Sequence, residues 1–371
     1  MLVAVVGAGI MGASLALHFA ANEMTVLLFD GAVPGSGATG SSFACLNFFA
    51  GATSDYMQFR SEALDYHMEL ARPIGLADAI RATGTLRWST ESTQNSKLLQ
   101  AASMAEGLGR TVEYFSRNDA LKLEPNLSIV GSPEVIVRVP QEGWLDCAHF
   151  TKRMIDAAVA TGLAHCVSEK CTRIEPLNQG AVVWTDRTCY LVDTVVLASG
   201  IGINALLEDL ACAPLVHESP EVLTKIPYFG PPIEHVVFAN HIHFRANGPS
   251  LIVGNADDPT GVSDSSVELK VARENVSLVR GELKEPSFGT SIVAQRGIRP
   301  VPKDGYPIVG RLPGQEQIFI AVTHGGVTLA PYVALLLTTE IAREGSCEAL
   351  GVFRPERFNL PIDQNRMPRI Q

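Results

Sequence analysis

The stretch LVAVVGAGIMGASLALHFAANEMTVLLFD, residues 2–30, decides the fold. Its two apolar runs and the glycine-rich turn between them predict a strand, a tight turn, a helix and a second strand. The expected bounds are 2–6 for the first strand, about 10–21 for the helix and 25–29 for the second strand. Because this order is the β-α-β unit of a Rossmann-type domain, we predict an α/β nucleotide-binding fold.

The glycines of this unit fall at the positions that a dinucleotide requires. Gly7 allows the tight turn, Gly9 lets the backbone approach a pyrophosphate, and Gly12 lets the helix pack on the sheet. The helix N-terminus offers N–H groups to the phosphates. Asp30 ends the second strand, where its carboxylate can accept hydrogen bonds from a ribose 2′-OH and disfavours a 2′-phosphate. The unit therefore predicts FAD or NAD rather than NADP.

The composition is that of an ordinary globular protein. Of 371 residues, 46% are hydrophobic and 18% are charged, which suits one large domain or two. The formal net charge is −10 and no basic run is present, so we expect no nucleic acid partner. The seven cysteines are widely spaced and form no CxxC pair. They predict neither a disulfide framework nor a zinc site, and we expect no metal and a reducing, cytoplasmic location.

Residues 1–22 carry no formal charge, which raises the question of a signal peptide or a membrane anchor. The stretch lacks a positive segment before its apolar residues, and three glycines interrupt the run. No other stretch has the roughly 20 apolar residues of a spanning helix. We therefore expect no membrane partner.

Residues 31–54, GAVPGSGATGSSFACLNFFAGATS, contain no charged residue and many small ones. A flexible surface loop would have this glycine and serine content. However, Phe43, Leu46, Phe48 and Phe49 are too apolar for such a loop. We expect the segment to run through the interior, where small residues let the backbone approach a large planar cofactor.

The chain resembles the FAD-dependent amino-acid oxidases and dehydrogenases, a family that includes glycine oxidase, sarcosine oxidase and D-amino-acid dehydrogenase. The resemblance covers nearly the whole length. Beyond the glycine fingerprint it is carried by four segments, namely SGATGSS at 36–42, VDTVVLASGIG at 192–202, GIRPVPKDGYPIVG at 297–310 and FIAVTHGGVTLAP at 319–331. It implies FAD rather than NAD as the cofactor. No obvious cysteine lies where some sarcosine oxidases attach flavin, so we expect non-covalent FAD.

The resemblance also implies which residues contact FAD. The implied contacts of the pyrophosphate, flavin and adenine regions are Thr39, Ser41, Ser42, Leu46, Val167, Ala198 and Gly200. The Gly-Gly turn after a buried strand adds the backbone N–H groups of Gly325, Gly326, Val327 and Thr328. These N–H groups could point at the pyrimidine oxygen of the flavin and stabilise negative charge on the reduced ring.

The family pattern implies two interleaved domains, and hence an α+β architecture overall. The FAD-binding domain would comprise 1–50, 141–215 and 296–371, and the substrate domain 51–140 and 216–295. Alternating residues predict strands at 84–90 and 134–140, and two strands within 235–255 about an Asn-Gly turn. These signals suit an antiparallel sheet as the floor of a substrate pocket. Helices are predicted at 54–71, 147–161 and 330–343.

Arg299 is the leading candidate for the substrate carboxylate, because a planar, permanently charged guanidinium can hold both carboxylate oxygens. It occupies the arginine of the family's G-x-R-P motif, and in several members that residue binds this group. We interpret 295–310 as a rigid, irregular loop in which Pro300 and Pro302 restrict the backbone. The alternative is a structural arginine that pairs with Asp304 or with a helix end. Relatives similar to glycine oxidase have a second arginine where this chain has Gly326, which weakens any inference of glycine as the substrate.

Other pocket candidates are weaker. His241, His243 and Arg245 alternate along one predicted strand, either as the polar outer face of a sheet or as a pocket wall. If they face inward, His243 or Arg245 could hold a second anionic group. Tyr228 could line the pocket. His324 could either neighbour the flavin or be structural.

The predicted function is FAD-dependent oxidation of the C–N bond of an amino or imino acid, by hydride transfer to flavin N5 and hydrolysis of the imine. Glycine-like substrates, N-substituted glycines such as sarcosine or iminodiacetate, and D-amino acids fit this chemistry. Oxygen or another acceptor would reoxidise the flavin, and the oligomeric state is open. The alternatives are a flavin-dependent 2-hydroxy acid or glycerol-phosphate dehydrogenase and an FAD-binding subunit of an amine dehydrogenase complex.

Overall fold

We describe a computed structural model of residues 1–49, 53–210, 212–255, 265–343 and 345–359. The predicted domain ends at 50, 51 and 371 lie outside the described residues. The α-helices are α1 Ile10–Ala21, α2 Ser54–Ala71, α3 Ser92–Gly107, α4 Arg117–Leu123, α5 Cys147–Ala160, α6 Ile203–Glu208, α7 Ser265–Gly281 and α8 Gly326–Arg343. The strands are β1 Leu2–Val6, β2 Thr25–Phe29, β3 Cys45–Leu46, β4 Ile80–Arg81, β5 Thr85–Trp88, β6 Glu113–Phe115, β7 Ile136–Val139, β8 Gly143–Leu145, β9 Ala164–Val167, β10 Cys171–Pro176, β11 Ala181–Thr185, β12 Cys189–Val192, β13 Thr194–Leu197, β14 Val216–Pro227, β15 Val236–Ala239, β16 Ile242–Asn247, β17 Ser250–Asn255, β18 Val293–Pro302, β19 Ile308–Arg311 and β20 Ile318–Val322.

The first sheet has six strands in the order β19-β20-β13-β1-β2-β9. β1 pairs in parallel with both β2 and β13, so Val5 lies opposite Leu28 on one side and Val196 on the other. The continuous apolar character of β1 and β13 follows from burial on both faces of a parallel sheet. The bounds of β1, α1 and β2 are those expected from residues 2–30, and the predicted Rossmann-type unit is confirmed.

The core lies on both faces of this sheet. Val3 and Val5 belong to the cluster beneath α1, α5 and α8, whereas Ala4 and Val6 belong to the cluster on the opposite face. This division follows from the two-residue repeat of a strand. Within the described ranges, no helix is long and apolar enough to cross a membrane.

The second large sheet has eight strands in the order β18-β14-β17-β16-β15-β5-β7-β6. Its strand pairs are antiparallel except for β15 and β5, and α7 packs against it. The predicted hairpin about the Asn-Gly turn is confirmed by the antiparallel pair β16 and β17. The number of strands within 235–255 was wrong, because β15 is a third one. Asn240 has a left-handed backbone conformation with φ of 50°, and it makes the additional turn between β15 and β16.

The interpretation of 295–310 as an irregular loop was also wrong, because its first half belongs to β18. Pro300 and Pro302 cannot donate backbone hydrogen bonds, and β18 tolerates them because it is an edge strand that pairs only with β14. Arg299 lies opposite Ser219 in this pairing. The predicted domain boundary between 295 and 296 falls inside this strand, and the division into two domains stays a prediction.

The last helix begins four residues earlier than predicted, at Gly326 rather than 330. Pro331 therefore lies inside α8 instead of in its first turn, and it lacks the N–H that would bond to the carbonyl of Val327. The ring nitrogen Nε2 of His67, on α2, lies 2.8 Å from that carbonyl and takes the place of the missing donor. The predicted helix at 54–71 has the bounds of α2, and the one at 147–161 corresponds to α5.

Candidate active site

A cavity of about 750 Å³ extends from the carboxyl ends of the first sheet's strands to the second large sheet. Gly7, Asp30, Ala198 and Thr323 follow β1, β2, β13 and β20, and all of them line it. Ligands of open parallel sheets bind at this edge, because the loops that follow the strands leave a crevice there.

The first turn leaves no room for side chains. A Cβ atom on Gly7, whose φ is 104°, would lie 2.6 Å from the carbonyl oxygen of Ala198. A Cβ atom on Gly12 would lie 1.7 Å from the carbonyl oxygen of Gly7. Gly9 lines the cavity, and a Cβ atom there would approach Thr39 Oγ1 to 3.1 Å. The three glycines thus keep the floor of the cavity open and allow α1 to pack closely.

Asp30 and Thr39 are fixed by backbone donors at this end. Asp30 accepts hydrogen bonds from the N–H groups of Ala8, at 2.8 Å, and Ala32, at 2.9 Å. Thr39 Oγ1 accepts one from the N–H of Ile10, at 3.0 Å. Both side chains line the cavity, as do the predicted contacts Ser41, Ser42, Ala198 and Gly200.

One buried polar atom here lacks a protein partner. The hydroxyl of Ser199 lines the cavity next to Ala198 and has no hydrogen-bond partner among the described residues. A buried hydroxyl without a partner is costly, so a polar ligand group would complete it. Together with the glycine floor and the Asp30 carboxylate, it makes the cleft fit an elongated dinucleotide such as FAD.

Two predicted FAD contacts do not line the cavity. Leu46 is buried in the core, and its neighbours Cys45 and Asn47 line the cavity instead, because successive strand residues point in opposite directions. The carbonyl of Val167 accepts hydrogen bonds from Asp30 N–H, at 3.1 Å, and Glu169 N–H, at 2.9 Å. The wall near this point is formed by residues 170–172.

The start of α8 forms the middle of the cavity. Gly325, Gly326, Val327 and Thr328 all line it, and the first N–H groups of a helix have no acceptor within the helix. Thr328 Oγ1 accepts a hydrogen bond from Asn47 N–H at 3.2 Å, which ties this turn to the segment that follows β3.

Arg60, on α2, places a buried positive charge near the start of α8. Only 4% of it is exposed, and none of the ion pairs among the described residues includes it. Its Nη2 donates to the backbone carbonyl of Asn47 at 2.8 Å, whereas its Nε has no hydrogen-bond partner. Its Nη1 lies 2.7 Å from the position that a Cβ atom on Gly325 would take. Arg60 was not predicted as a site residue, although its spacing from Met57 and Leu64 places a charge on the apolar face of a predicted helix.

His324 lines the cavity close to Arg60 and Arg299. Burial lowers its pKa to about 4, and the nearby positive charges of Arg60 and Arg299 and the proximity of His217 act in the same direction. The ring is therefore neutral at physiological pH, and its Nδ1 has no hydrogen-bond partner.

Arg299, Glu221 and His243 form a cluster where the cavity meets the second large sheet. Arg299 Nη1 lies 3.2 Å from Glu221 Oε2, and Arg299 Nη2 donates to Ser219 Oγ at 3.0 Å. The other carboxylate oxygen of Glu221 lies 3.3 Å from His243 Nε2. The Arg299 side chain is 43% exposed, and its Nε is buried without a partner in the part of the chain that the structure describes. Glu221 was not predicted as a site residue, because it lies 78 residues from Arg299 and strand pairing brings the two together.

Arg245 lies outside this cavity. His243 and Arg245 share one face of β16, but the ring of Phe43 lies beside both, 4.4 Å from the His243 ring centre and 5.5 Å from the Arg245 guanidinium carbon. Arg245 donates to the carbonyl of Phe43 at 2.8 Å, stacks on Trp144 and lines a separate cavity of about 180 Å³. Its predicted contact with the same substrate is therefore not supported by its position.

Tyr228 is also remote. It follows the end of β14 and packs against Phe288, with ring centres 5.8 Å apart. Seven residues separate it from Glu221 along an extended strand, a distance of about 23 Å. His241 is exposed and lies 2.9 Å from Glu91 at the surface, so only His243 of the alternating set lines the main cavity.

Known proteins with a similar sequence and fold were found over nearly the whole chain. Glycine oxidase from Geobacillus kaustophilus (strain HTA426) is 23% identical over 370 residues, which cover 95% of this chain and 95% of that protein. A crystal structure of glycine oxidase from Geobacillus kaustophilus superposes with a TM-score of 0.85 at 21% identity, over 95% of this chain and 97% of that one. Iminodiacetate oxidase from Chelativorans sp. BNC1 superposes with a TM-score of 0.81 at 20% identity, over 95% and 98% of the two chains. These likenesses show the shared fold.

The 4-methylaminobutanoate oxidase (formaldehyde-forming) of Paenarthrobacter nicotinovorans is 27% identical over 246 residues, which cover 65% of this chain and 27% of that protein. The family model described as DAO, FAD dependent oxidoreductase, matches residues 3–340. The glycine fingerprint, the strands that end at the cleft and the start of α8 all lie within this match. The chain therefore belongs to the DAO family of FAD-dependent oxidoreductases, which confirms the resemblance drawn from its motifs.

Proposed function

We propose that the protein oxidises the C–N bond of an amino or imino acid, and that Arg299 binds the carboxylate of the substrate. The observation that carries the proposal is the position of Arg299, which lies in the same cavity as the dinucleotide-binding turn and keeps its Nε without a partner. A guanidinium of this kind binds a carboxylate through two parallel hydrogen bonds. The expected substrates are glycine-like amino acids, N-substituted glycines and D-amino acids.

The residues present fit FAD along the cleft. Gly7, Gly9 and Thr39 would lie against the pyrophosphate, and Asp30 would accept hydrogen bonds from the ribose of the adenosine. The N–H groups of residues 326–328 and the guanidinium of Arg60 would face the pyrimidine end, where they supply positive charge. Bound FAD supplies the chemistry of accepting a hydride from the substrate.

The chain's own residues would select and orient the substrate. Arg299 would fix the carboxylate, and its register opposite Ser219 limits the directions that the side chain can take. Phe43 and Phe238 line the cavity beside His243, where their rings exclude water. The neutral His324 ring would add a hydrogen-bonding nitrogen without a second positive charge. Most of the rate enhancement would then come from orientation of the C–H bond.

The relatives support oxidation of a C–N bond rather than of the C–O bond of a hydroxy compound. Glycine oxidase, iminodiacetate oxidase and 4-methylaminobutanoate oxidase are each named for an amine-containing substrate. We extend this reaction class to the present chain, with oxygen or another acceptor as the oxidant of the reduced flavin and a cytoplasmic location.

Anaerobic titration of the FAD-loaded protein tests the proposal. Glycine, sarcosine, iminodiacetate and D-alanine are added separately, with glycolate, D-lactate and glycerol 3-phosphate as the hydroxyl counterparts, and bleaching of the flavin absorbance is recorded before and after admission of air. We expect bleaching by at least one amine. Bleaching by hydroxyl compounds alone would contradict the proposal.

Replacement of Arg299 tests the residue assignment. We expect R299K to raise the KM for the reducing amine about tenfold to a hundredfold, because lysine keeps the charge but loses the two-pronged hydrogen bonding. R311K is the matched control, because Arg311 lies at the surface beside Glu316 and outside the cavity. An unchanged KM in R299K would remove Arg299 from the substrate site.

A further inference from the structure

We infer that Glu221 binds the amino group of the substrate, so that the site takes a zwitterion held between Glu221 and Arg299. The inference rests on the proposed function and adds the group that recognises nitrogen. It assigns a specificity-determining role to a residue on β14 that no sequence motif indicated.

Strand pairing places Glu221 beside Arg299. Glu221 lies opposite Gly297, and Ser219 lies opposite Arg299, so Glu221 and Arg299 are diagonal neighbours on one face of the β14–β18 pair. Diagonal neighbours are close enough for long side chains to meet. Glu221 and Arg299 both line the cavity, whereas the exposed Glu218 has the opposite parity along β14 and does not line it.

The Glu221 carboxylate is a buried anion. Its side chain is 12% exposed. Burial alone would raise its pKa, but the hydrogen bond and the electrostatic interaction with His243, together with the positive charge of Arg299, outweigh burial and lower it. The group is therefore ionised at neutral pH. His243 contacts the carboxylate oxygen of Glu221 that does not contact Arg299, and the His243 ring packs against Phe43.

The contacts of Glu221 with Arg299 and His243 are long enough for a ligand donor to join or replace them. The Arg299–Glu221 and His243–Glu221 distances of 3.2 and 3.3 Å are longer than the 2.7–2.9 Å typical of charge-assisted hydrogen bonds. An ionised carboxylate also accepts about four hydrogen bonds. A donor from a ligand can therefore join or replace these contacts.

Charge balance decides which ligand suits the cluster. A carboxylate without an amine would bring a second anion to an arginine that is already paired with Glu221, and like charges at this distance repel. A zwitterion brings its own cation, so its carboxylate can contact Arg299 while its ammonium or amine contacts Glu221. The cluster then has two matched pairs in place of one.

Anaerobic titration of the FAD-loaded E221Q protein with two classes of ligand tests the inference. The readout is the spectral shift of the oxidised flavin for ligands that do not reduce it, and the concentration that gives half the maximal bleaching rate for ligands that do. Glycine and sarcosine are the zwitterions, and acetate and glycolate are the carboxylates without an amine. We expect the zwitterions to bind roughly tenfold or more weakly, because they lose a charged partner. We expect acetate and glycolate to bind several-fold more tightly, because Arg299 no longer has a competing anion. These opposite signs distinguish the inference from a structural role, which would weaken both classes.

E218Q is the matched control and should leave both affinities within twofold of the wild-type values. E221D keeps the charge, and we expect it to retain the preference for zwitterions; it also keeps the test available if E221Q does not fold. Affinities for both classes that change in the same direction in E221Q would overturn the inference.

R299Q separates this outcome from failure of the proposed function. If R299Q no longer binds glycolate, Arg299 is the carboxylate ligand whatever the result for Glu221, whereas unchanged glycolate binding in R299Q would contradict the proposed function itself.

Discussion

Single residues in this cleft matter for two reasons, namely the space that a missing side chain leaves and the charge that a side chain carries. Gly12 is needed because the carbonyl of Gly7 fills the position of its Cβ atom, whereas Arg60 and Arg299 are defined by the buried nitrogen that each leaves without a partner. A glycine role of this kind follows from local spacing in the sequence. The environment of an arginine does not, because its partners come from distant strands.

At the residue scale we predict that G12A does not retain FAD. The added Cβ atom would lie 1.7 Å from the Gly7 carbonyl oxygen, so α1 must move away from the turn or the turn must open. Flavin absorbance after gel filtration measures retention. G107A is the control, because a Cβ atom at the end of α3 meets no atom within 4 Å. Full retention of FAD by G12A would show that the turn adapts without cost.

At the scale of elements, the contact between α2 and α8 depends on a histidine. Pro331 removes the donor for the Val327 carbonyl, and His67 supplies one at 2.8 Å. Burial lowers the pKa of His67 to about 4. Hydrogen bonds to the backbone of Val327 and Thr328 act in the opposite direction, but their effect is smaller. The helix pair is therefore held by a neutral imidazole.

This contact predicts a dependence of stability on pH. An unfolded histidine has a pKa of about 6.5, so below this pH the unfolded state binds a proton that the folded state excludes until about pH 4. The stabilisation is complete above pH 6.5 and is lost as the pH falls, by about 2 kcal/mol at pH 5. Thermal denaturation of the FAD-loaded protein between pH 7 and 5 measures it. H67Q should reduce this dependence by the part that comes from His67 and leave the part that comes from His324, whose pKa is also lowered to about 4. Replacement of the exposed His165 should leave the slope unchanged, and equal slopes in wild type and H67Q would refute the assignment.

Elements were predictable where a pattern was local and complete. The bounds of β1, α1, β2 and α2 follow from apolar periodicity and from the turn between them. The edge strand β18 was not predicted because two prolines and one glycine hide its extended conformation, and an edge position that tolerates proline is a property of the sheet. The extra turn at Asn240 was missed for a similar reason, since one residue with positive φ leaves little signal.

At the scale of the whole molecule, Glu142 connects the cofactor segment to the second large sheet. It is fully buried and accepts hydrogen bonds from Phe48 and Phe49 N–H, at 2.9 Å each, and from Thr85 Oγ1 at 2.7 Å. It also pairs with Arg87 at 2.8 Å. One carboxylate thus satisfies donors from both parts of the structure.

We predict that E142Q lowers the unfolding free energy by about 3–5 kcal/mol, because it leaves the guanidinium of Arg87 buried without its anion. Thermal unfolding with FAD at a fixed concentration measures the effect, together with the amount of FAD retained. E113Q is the matched control, since Glu113 pairs with Arg138 at the same distance of 2.8 Å but is 39% exposed, and such pairs contribute at most about 1 kcal/mol. Equal losses in the two variants would contradict a special role for Glu142.

The amino-acid sequence by itself determined the dinucleotide turn, the first strand–helix–strand unit and a preference for FAD or NAD over NADP. These features depend on residues within about thirty positions of one another, where steric and periodic rules apply directly. Only the tertiary structure decided that Glu221 pairs with Arg299, that Arg60 enters the cleft, and that Phe43 separates His243 from Arg245. Each of these relations depends on the register of strands or on helix packing between distant segments, and a shift of one residue in a strand would turn the side chain to the other face.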